Sequence, residues 1–374
     1  SEVASFQKRG KTWQYTVSRM VNGKPKPIRK GGFRTKKEAQ IAAAEVESEL
    51  SKGIIPHLHP IPFATYFKRW IRTFKKPHIK RNTLNRYLNT LETIKKYFGD
   101  KSLQDINKRE YQEFLNKYGQ LRAKATSDKL NTHIRACVKD AIDEGIIHMD
   151  FTRGAKPIGR KEKRSEEKHL SYLESKKLLN EIYKNLNKSL NYYLLLLALT
   201  SGMRFGELVG LTRNDFNFYN NTISINKTWG YTNKMHDGFG PTKNEQSIRT
   251  IKMDKKTMKS FKQLFNNNKI TDNIHQLVFY SPSSKYKIIS NNASNNLLRK
   301  TLKKLDIQPI TMHGLRHTHA SVLLYKKVSI YYVSERLGHK DIETTLNNYS
   351  HVIKELRTKD EKASVEVYEN MVSL

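Results

Sequence analysis

Apolar and polar residues alternate in the first part of the chain, which is the pattern of half-buried β-strands. Trp13, Tyr15 and Val17 recur at every second position. The pair Asn22-Gly23 follows and favours a tight hairpin turn, because both turn positions need a positive φ. Further extended chain is predicted from Ile28 to Phe33.

A helix is predicted to complete this first module. Thr35 and Glu38 have the spacing of a capping box, in which two side chains satisfy backbone N–H groups at a helix start. The apolar positions that follow at helical spacing are Ala39, Ala42, Val46 and Leu50. We therefore predict a three-stranded sheet plus one helix within residues 1–55.

From residue 60 to 158 the apolar positions follow a helical period, so we predict an all-helical domain after a linker at Pro56 to Pro62. Asn107 and Glu110 form another capping box, and a longer helix is predicted from Thr126 to Asp143. The apolar residues at helical spacing are Tyr66, Trp70, Phe74, Leu84, Tyr87, Leu88, Leu91 and Ile94.

The remainder, residues 168–374, has a mixed pattern that is mostly helical. The charged stretch from Lys156 to Lys168, interrupted by Pro157 and Gly159, is typical of an exposed connection between domains. The predicted elements are a Leu-rich helix from Leu190 to Thr200, strands at Ile223 to Ile225 (after an Asn220-Asn221 turn) and Ile248 to Met253, and helices from Met258 onward. The predicted fold class is therefore multidomain: a small sheet plus helix, an all-α domain, and a mixed α+β domain.

Charge indicates the class of partner. The 374 residues include 69 Lys and Arg against 35 Asp and Glu, a formal net charge of +34, and such a field attracts a polyanion. A membrane surface is also anionic, but the longest apolar run, Tyr192 to Leu199, is far shorter than the roughly 20 residues that span a bilayer. No signal-peptide pattern is seen, so we expect a cytoplasmic, DNA-associated protein with no membrane contact.

The first module is expected to bind DNA. Between Phe6 and Lys37 there are eleven Lys or Arg and no Asp or Glu, which favours a phosphate-binding sheet over the alternative of a solvated charged face. The candidate DNA-binding residues are Lys8, Arg9, Lys11, Trp13, Tyr15, Arg19, Lys24, Lys26, Arg29 and Lys30.

Four short segments in the last domain carry candidate chemistry. The first segment is Thr200 to Leu208, in which a turn that contains glycine positions Arg204. Glu207, at i+3, is placed to hold the Arg204 side chain by an ion pair while the guanidinium binds a phosphate. Taken alone, the pair is more typical of an ordinary surface ion pair.

In the second segment, His313 to His319, the i, i+3 spacing places His313 and Arg316 on one helix face and pairs a titratable group with a permanent cation. Metal binding by His313, His317 and His319 is an alternative, although no HExxH glutamate accompanies them. Structural histidines are a further alternative.

The third and fourth segments are Leu337-Gly-His-Lys340 and Thr344 to His351. Tyr349 follows His339 by ten residues, and this arrangement distinguishes it among the 19 tyrosines of the chain.

Together these segments resemble the catalytic boxes of the tyrosine recombinase family, most closely the integrases of temperate phages and integrative elements. The resemblance covers nearly the whole chain: residues 1–55 are similar to the arm-site-binding domain of lambda-type integrases, 60–158 to their core-DNA-binding domain, and 168–374 to their catalytic domain. It implies a site-specific recombinase that cleaves and rejoins DNA through a 3′-phosphotyrosine, without a metal or other cofactor.

Matched residue by residue, the family's catalytic arginines correspond to Arg204 and Arg316, its histidines to His313 and His339, and its nucleophile to Tyr349. The resemblance implies that His313 takes the phenol proton and that Glu207 supports the helix carrying Arg204. The family's catalytic lysine, which lies on a β-hairpin, corresponds to Lys243 in the segment Pro241 to Ile251; Lys234 and Lys252 are weaker candidates.

The implied partners are double-stranded DNA with core-type and arm-type sites, a homotetramer on synapsed DNA, a directionality factor and a host DNA-bending protein. Residues Ala363 to Leu374 resemble a short amphipathic tail that docks either on a neighbouring subunit or on its own domain. Two rival functions remain at this point. A non-catalytic DNA-binding protein would explain the charge but not Tyr349 with its companions, and a relaxing topoisomerase would not need the first module.

Overall fold

The computed structural model describes residues 4–21, 23–52, 60–147, 149–162, 168–268 and 273–372. The chain forms two compact units, Ser1–Glu162 and Lys163–Leu374. Asn22 of the predicted turn and most of the predicted linker lie outside the described residues. Within the described ranges, no helix is long and apolar enough to cross a membrane.

The amino-terminal part of the first unit is a sheet plus one helix, as predicted. The antiparallel sheet has the order β1-β2-β5, a second pair of strands is formed by β3 and β4, and helix α1 follows. The bounds are β1 Ser5–Arg9, β2 Thr12–Val17, β3 Met20–Val21, β4 Lys24–Pro25, β5 Ile28–Phe33 and α1 Lys36–Ser51.

Helix α1 starts with a variant of the predicted capping box. The Thr35 side chain accepts a hydrogen bond from the Glu38 backbone N–H at 3.2 Å. The Glu38 carboxylate, however, accepts from the backbone N–H of Arg34 rather than from that of Thr35. The Glu38 N–H is therefore capped as predicted, whereas the reciprocal bond is made one residue earlier than the sequence predicts.

Burial contradicts one of the ten candidate DNA-binding residues. Tyr15 is 1% exposed and packs with Val17 and Ile28 against α1, so its ring belongs to the module's core and is not available to DNA. Trp13 is half-buried, with the Lys36 ammonium 5.6 Å from its ring centroid. The pairing of β2 with β5 shifts register between residues 13 and 15, where β5 carries one extra residue. The other candidates are half-buried Arg19 and exposed Lys8, Arg9, Lys11, Lys24, Lys26, Arg29 and Lys30.

The rest of the first unit is all-helical and has its own hydrophobic core. Buried polar groups in this core have specific partners: Trp70 Nε1 donates to Asp140 at 2.6 Å. Two residues of the predicted apolar faces, Phe74 and Leu88, are instead exposed. The helices are α2 Phe63–Trp70, α3 Arg81–Phe98, α4 Lys108–Gly119 and α5 Lys124–Asp143.

The second unit surrounds helix α7, Leu190–Ser201, whose central part is apolar on every side. Residues 194–197 of this helix are fully buried leucines, as expected for an element with no solvent face. A sheet of order β10-β7-β6 and a β8-β9 hairpin pack beside the helices. The helices are α6 Tyr172–Asn185, α7 Leu190–Ser201, α8 Phe205–Val209, α9 Lys255–Asn267, α10 Asn291–Lys304, α11 Met312–Tyr325, α12 Ile330–Leu337, α13 Ile342–Glu355 and α14 Arg357–Met371. The strands are β6 Phe216–Asn217, β7 Thr222–Ile225, β8 Thr228–Trp229, β9 Phe239–Gly240 and β10 Arg249–Lys252.

The carboxyl-terminal segment forms helix α14, and no residue of this helix is buried. Val365, Val367, Tyr368 and Met371 are each at least half exposed. The alternative in which this tail packs on its own domain is therefore not observed.

His319 fills a structural position between α7, α11 and α12. Its Nδ1 lies 2.8 Å from the Leu199 carbonyl oxygen, and its Nε2 accepts from Arg336 Nε at 3.0 Å. Burial, followed by the nearby charge of Arg336, lowers the pKa of His319 to about 3. The neutral tautomer with a proton on Nδ1 satisfies both contacts.

This burial predicts a pH dependence of stability. The folded state leaves His319 neutral down to about pH 3, whereas the unfolded chain protonates it near pH 6.5. The unfolding free energy should therefore be highest above pH 6.5 and fall as the pH decreases towards 3. Urea unfolding at several pH values should show a shallower slope for His319→Gln, by up to one proton, about 1.4 kcal/mol per pH unit. Equal slopes for the two proteins would contradict the structural role.

Candidate active site

A glycine turn places Arg204 at the site. Helix α7 ends at Ser201, and Gly202 follows with a φ of +69°, a conformation that favours glycine. A Cβ at Gly202 would also lie 2.5 Å from Cδ2 of His319, so the packing against α11 leaves no room for a side chain. Arg204 then precedes α8, with its guanidinium Nη1 3.4 Å from Ser247 Oγ.

Arg316, on α11, is the most deeply buried cation of the site, with 3% of its surface exposed. Its Nη1 donates to the Gly202 carbonyl and its Nη2 to the Leu337 carbonyl, both at 2.8 Å. Burial, followed by repulsion from Arg204, lowers the pKa of Arg316 to about 9. The guanidinium is therefore still charged at neutral pH but lies in a strongly cationic environment.

Glu207 holds this cationic cluster together, and its main partner is a residue that sequence reasoning missed. Arg249 on β10 donates to both carboxylate oxygens of Glu207, at 2.7 and 3.2 Å. The carboxylate also accepts the Arg204 backbone N–H at 2.8 Å, while the Arg204 guanidinium is 3.9 Å away. Burial acts to raise the pKa of Glu207, but the hydrogen bond and charge of Arg249 lower it below the ordinary value.

Arg249 also reaches the carboxyl end of α12 and the loop that follows it. Its Nε donates to the Arg336 carbonyl at 2.7 Å. In that loop Gly338 has a φ of +70°, and a Cβ there would lie 2.8 Å from Arg249 Nη1. The glycine of the Leu337-Gly-His segment thus allows the loop to approach Arg249 closely. A signal for Arg249 exists in the sequence, since strand alternation places it on the same face as buried Ile251.

Tyr349 lies in α13, where its backbone departs from helical geometry, with φ −123° and ψ 17°. The side chain is 1% exposed and packs with Ala320, Leu337 and Val352. Burial raises the pKa of Tyr349 to about 12, although Arg316 and Arg204 act in the opposite direction. The phenol is therefore protonated at neutral pH and lies within the field of both arginines.

The hydrogen-bond partner of Tyr349 is His317, not His313. Nδ1 of His317 is 2.8 Å from the Tyr349 hydroxyl oxygen. His313 is exposed and contacts His317 edge to face, with ring centroids 4.6 Å apart. Partial desolvation of the ring by its neighbours, followed by the charges of Arg316, Arg204 and then Lys243, lowers the pKa of His313. The sequence predicts His313 as the proton acceptor, but the structure brings its neighbour one turn later to the phenol.

His339 lies close to the same cations. Its Nδ1 is hydrogen-bonded to Thr345 Oγ1 of α13. Burial, followed by the charges of Arg316 and Arg204, lowers the pKa of His339 to about 3. A neutral His339 at the edge of the arginine cluster can donate a hydrogen bond from its Nε2–H.

The lysine candidates differ in their relation to this cluster. Lys243 is exposed, in the loop between β9 and β10, and its charge lowers the pKa values of both His313 and His339. The Lys252 ammonium instead donates to the Asn220 carbonyl at 2.6 Å. Lys234 lies in the turn of the β8-β9 hairpin. These observations favour Lys243 as the candidate catalytic lysine, although it follows the β8-β9 hairpin and does not lie on a paired strand.

The metal alternative does not fit the three histidines of α11. Both ring nitrogens of His319 are engaged by Leu199 and Arg336, and His317 is engaged by Tyr349. Among the described residues, no group of three or more His, Cys, Asp or Glu side chains has the geometry to hold a metal ion.

Family models match three separate parts of the chain. Residues 168–355 match the model described as the phage integrase family. Residues 5–50 match an arm DNA-binding domain, and residues 62–118 match a phage integrase N-terminal SAM-like domain.

Two relatives are similar to the chain over most of their length. A protein named tyrosine recombinase XerC-like, from Caldanaerobacter subterraneus subsp. tengcongensis, is 26% identical over 95% of this chain and 96% of its own. ICEBs1 integrase of Bacillus subtilis is 24% identical over 85% of this chain and 86% of its own.

Solved structures confirm the predicted fold class. The Tn1549 transposon integrase in complex with a circular intermediate DNA has a TM-score of 0.66 at 18% identity, covering 81% of this chain and 99% of that one. A lambda integrase tetramer bound to a Holliday junction has a TM-score of 0.53 at 17% identity, covering 90% and 94%. At these identities the likeness concerns the fold.

The buried pair of Glu207 and Arg249 predicts a large effect on stability. Their side chains are 1% and 6% exposed, so removing one partner leaves the other charge buried without compensation. Arg249→Met and Glu207→Gln should each lower the unfolding free energy by roughly 3–5 kcal/mol. Urea unfolding provides the measurement.

The double variant is the control for this prediction. Because it removes both charges together, its loss should be clearly smaller than the sum of the two single losses. Additive losses, or single losses within experimental error of zero, would show that the pair does not act as a unit.

Proposed function

This chain belongs to the phage integrase family, and on that premise we propose that it cuts and rejoins DNA with Tyr349 as its nucleophile. The observation that carries the proposal is the placement of the Tyr349 hydroxyl, hydrogen-bonded to His317 within the field of Arg204 and Arg316. The reaction is site-specific recombination that integrates and excises a mobile element.

The cationic cluster supports a phosphodiester as the substrate. Arg204, Arg249 and Arg316 lie around the buried carboxylate of Glu207. Burial, together with repulsion from Arg249, lowers the pKa of Arg204, and burial, together with repulsion from Arg204, lowers the pKa of Arg316. A phosphate between Arg204 and Arg316 would relieve that repulsion. In the transition state it would place the growing charge of the non-bridging oxygens against fixed cations.

The proposed step transfers the phosphate of one DNA strand from its 5′ oxygen to the Tyr349 oxygen. The Tyr349 oxygen forms a bond to phosphorus while the bond to the 5′ oxygen breaks, which leaves a 3′-phosphotyrosine and a free 5′ hydroxyl. The phenol gives up its proton to a histidine of α11, and Lys243 supplies a proton to the departing oxygen. His339 donates a hydrogen bond to the phosphate. A 5′ hydroxyl from another strand reverses the attack, so the covalent intermediate conserves the bond energy without ATP.

The wider assembly follows from the same proposal. We assign residues 1–55 to arm-type sites, 60–158 to core-type sites and 168–374 to catalysis, within a homotetramer on synapsed DNA in the cytoplasm of a bacterial host. The match of residues 5–50 to an arm DNA-binding domain supports the first assignment. The lambda structure contains a tetramer on a Holliday junction, which supports the same state here. A directionality factor and a host DNA-bending protein complete the proposed set of partners.

The test is covalent capture on a nicked suicide duplex built from the DNA ends that flank the parent element of this gene. Wild-type protein with EDTA should give a protein–DNA band on denaturing electrophoresis, because the nick releases the short strand and prevents rejoining. Tyr349→Phe should give no such band. This variant keeps the buried ring and removes only the hydroxyl, so its fold and its DNA affinity should be unchanged.

Two other outcomes would change the proposal. Tight wild-type binding without a covalent band would favour a non-catalytic DNA-binding protein. A covalent band that persists in Tyr349→Phe would assign the nucleophile to another residue.

A further inference from the structure

We propose that His317 is a catalytic residue that accepts the phenol proton of Tyr349 when the DNA strand is cut. This inference rests on the proposed function and deepens it, because it assigns the proton to a residue other than His313.

His317 and His313 lie one turn apart on α11 but have different surroundings. His317 is half-buried and its Nδ1 is 2.8 Å from the Tyr349 oxygen, within the range needed for direct proton transfer. His313, one turn earlier, is exposed and contacts the His317 ring. Proton transfer from Tyr349 to His313 would first require the phenol to leave its present partner.

The charged and titratable groups around His317 keep its ring neutral. Burial is the largest cause, followed by His313 and Arg316 on α11 and by His169 and Lys168 in the segment before α6; together they lower the pKa of His317 to about 4. Among the described residues, Tyr349 on α13 also faces the ring. A neutral imidazole whose Nδ1 faces the phenol is the form that can accept a proton.

Substrate binding favours this transfer. A phosphodiester between Arg204 and Arg316 brings a negative charge next to the two cations, and Arg316 is one of the groups that now disfavour a charged His317. In the cleavage step the Tyr349 proton moves to His317 Nδ1 as the oxygen–phosphorus bond forms. On rejoining, the same proton returns to the phenol oxygen, so no further reactant is consumed.

The test compares His317→Asn with the matched variant His313→Asn in single-turnover cleavage. Asparagine keeps a hydrogen-bonding group near the position of Nδ1 but cannot take up the proton. His317→Asn should cleave about 10²- to 10⁴-fold more slowly than wild type at neutral pH, the range typical of general-base catalysis. Its rate should rise about tenfold per pH unit, because hydroxide must then generate the phenolate. The wild-type and His313→Asn rates should not show that slope.

A substrate with sulfur in place of the 5′ bridging oxygen separates the two proton transfers. The sulfur leaves as a weak base and needs no acid, so this substrate should restore cleavage by Lys243→Ala. It should not restore His317→Asn, because the nucleophile still lacks a proton acceptor.

Several results would overturn the assignment. They are a wild-type rate for His317→Asn, its rescue by the sulfur substrate, or the tenfold slope appearing in His313→Asn alone. Thermal unfolding and non-covalent DNA binding check that each variant is folded, and His317→Gln replaces His317→Asn if the latter is not. Failure of wild-type protein to cleave would instead contradict the proposed function, so the two failures are distinguishable.

Discussion

The buried guanidinium of Arg316 is the constraint on which the catalytic unit depends. It binds the carbonyl of Gly202 at the end of α7 and that of Leu337 at the end of α12, so one side chain fixes two turns that are far apart in sequence. A cation this deeply buried needs compensation, and within the described residues the nearby carboxylate is Glu207, which Arg249 holds in place. The resulting excess of positive charge is costly in the unliganded protein and suited to a phosphate.

The main elements and most of the site could be predicted from short-range patterns. The Leu-rich run predicted α7, and the motifs predicted Arg204 and Arg316; in the folded chain the charge of Arg204 adds to burial in lowering the pKa of Arg316. Arg249 was missed because its partner is 42 residues away and the pairing depends on β10 approaching α8. The role of His317 was also missed, although its spacing from His313 places both on one helix face. Only the packing of α13 decides which of the two meets Tyr349.

Two other predictions show where local patterns are insufficient. Tyr15 lies in a stretch rich in Lys and Arg, but a small module must bury its few large side chains to form a core. Val365 and Tyr368 have amphipathic spacing, yet both remain exposed on α14, and the spacing alone does not specify a partner. In both cases the periodicity identified the element but not the surface against which it packs.

The most direct test of the central claim is to locate the DNA on the protein chemically. After nuclease and trypsin digestion of the trapped complex, the account predicts a nucleotide adduct on the peptide from Asp341 to Lys354, in which Tyr349 is the single tyrosine. Mass spectrometry of that peptide should place the added phosphate on Tyr349. An adduct on any other residue, such as Tyr331 or Tyr332 of α12, would contradict the claim that the buried arginine cluster and Tyr349 form one active site.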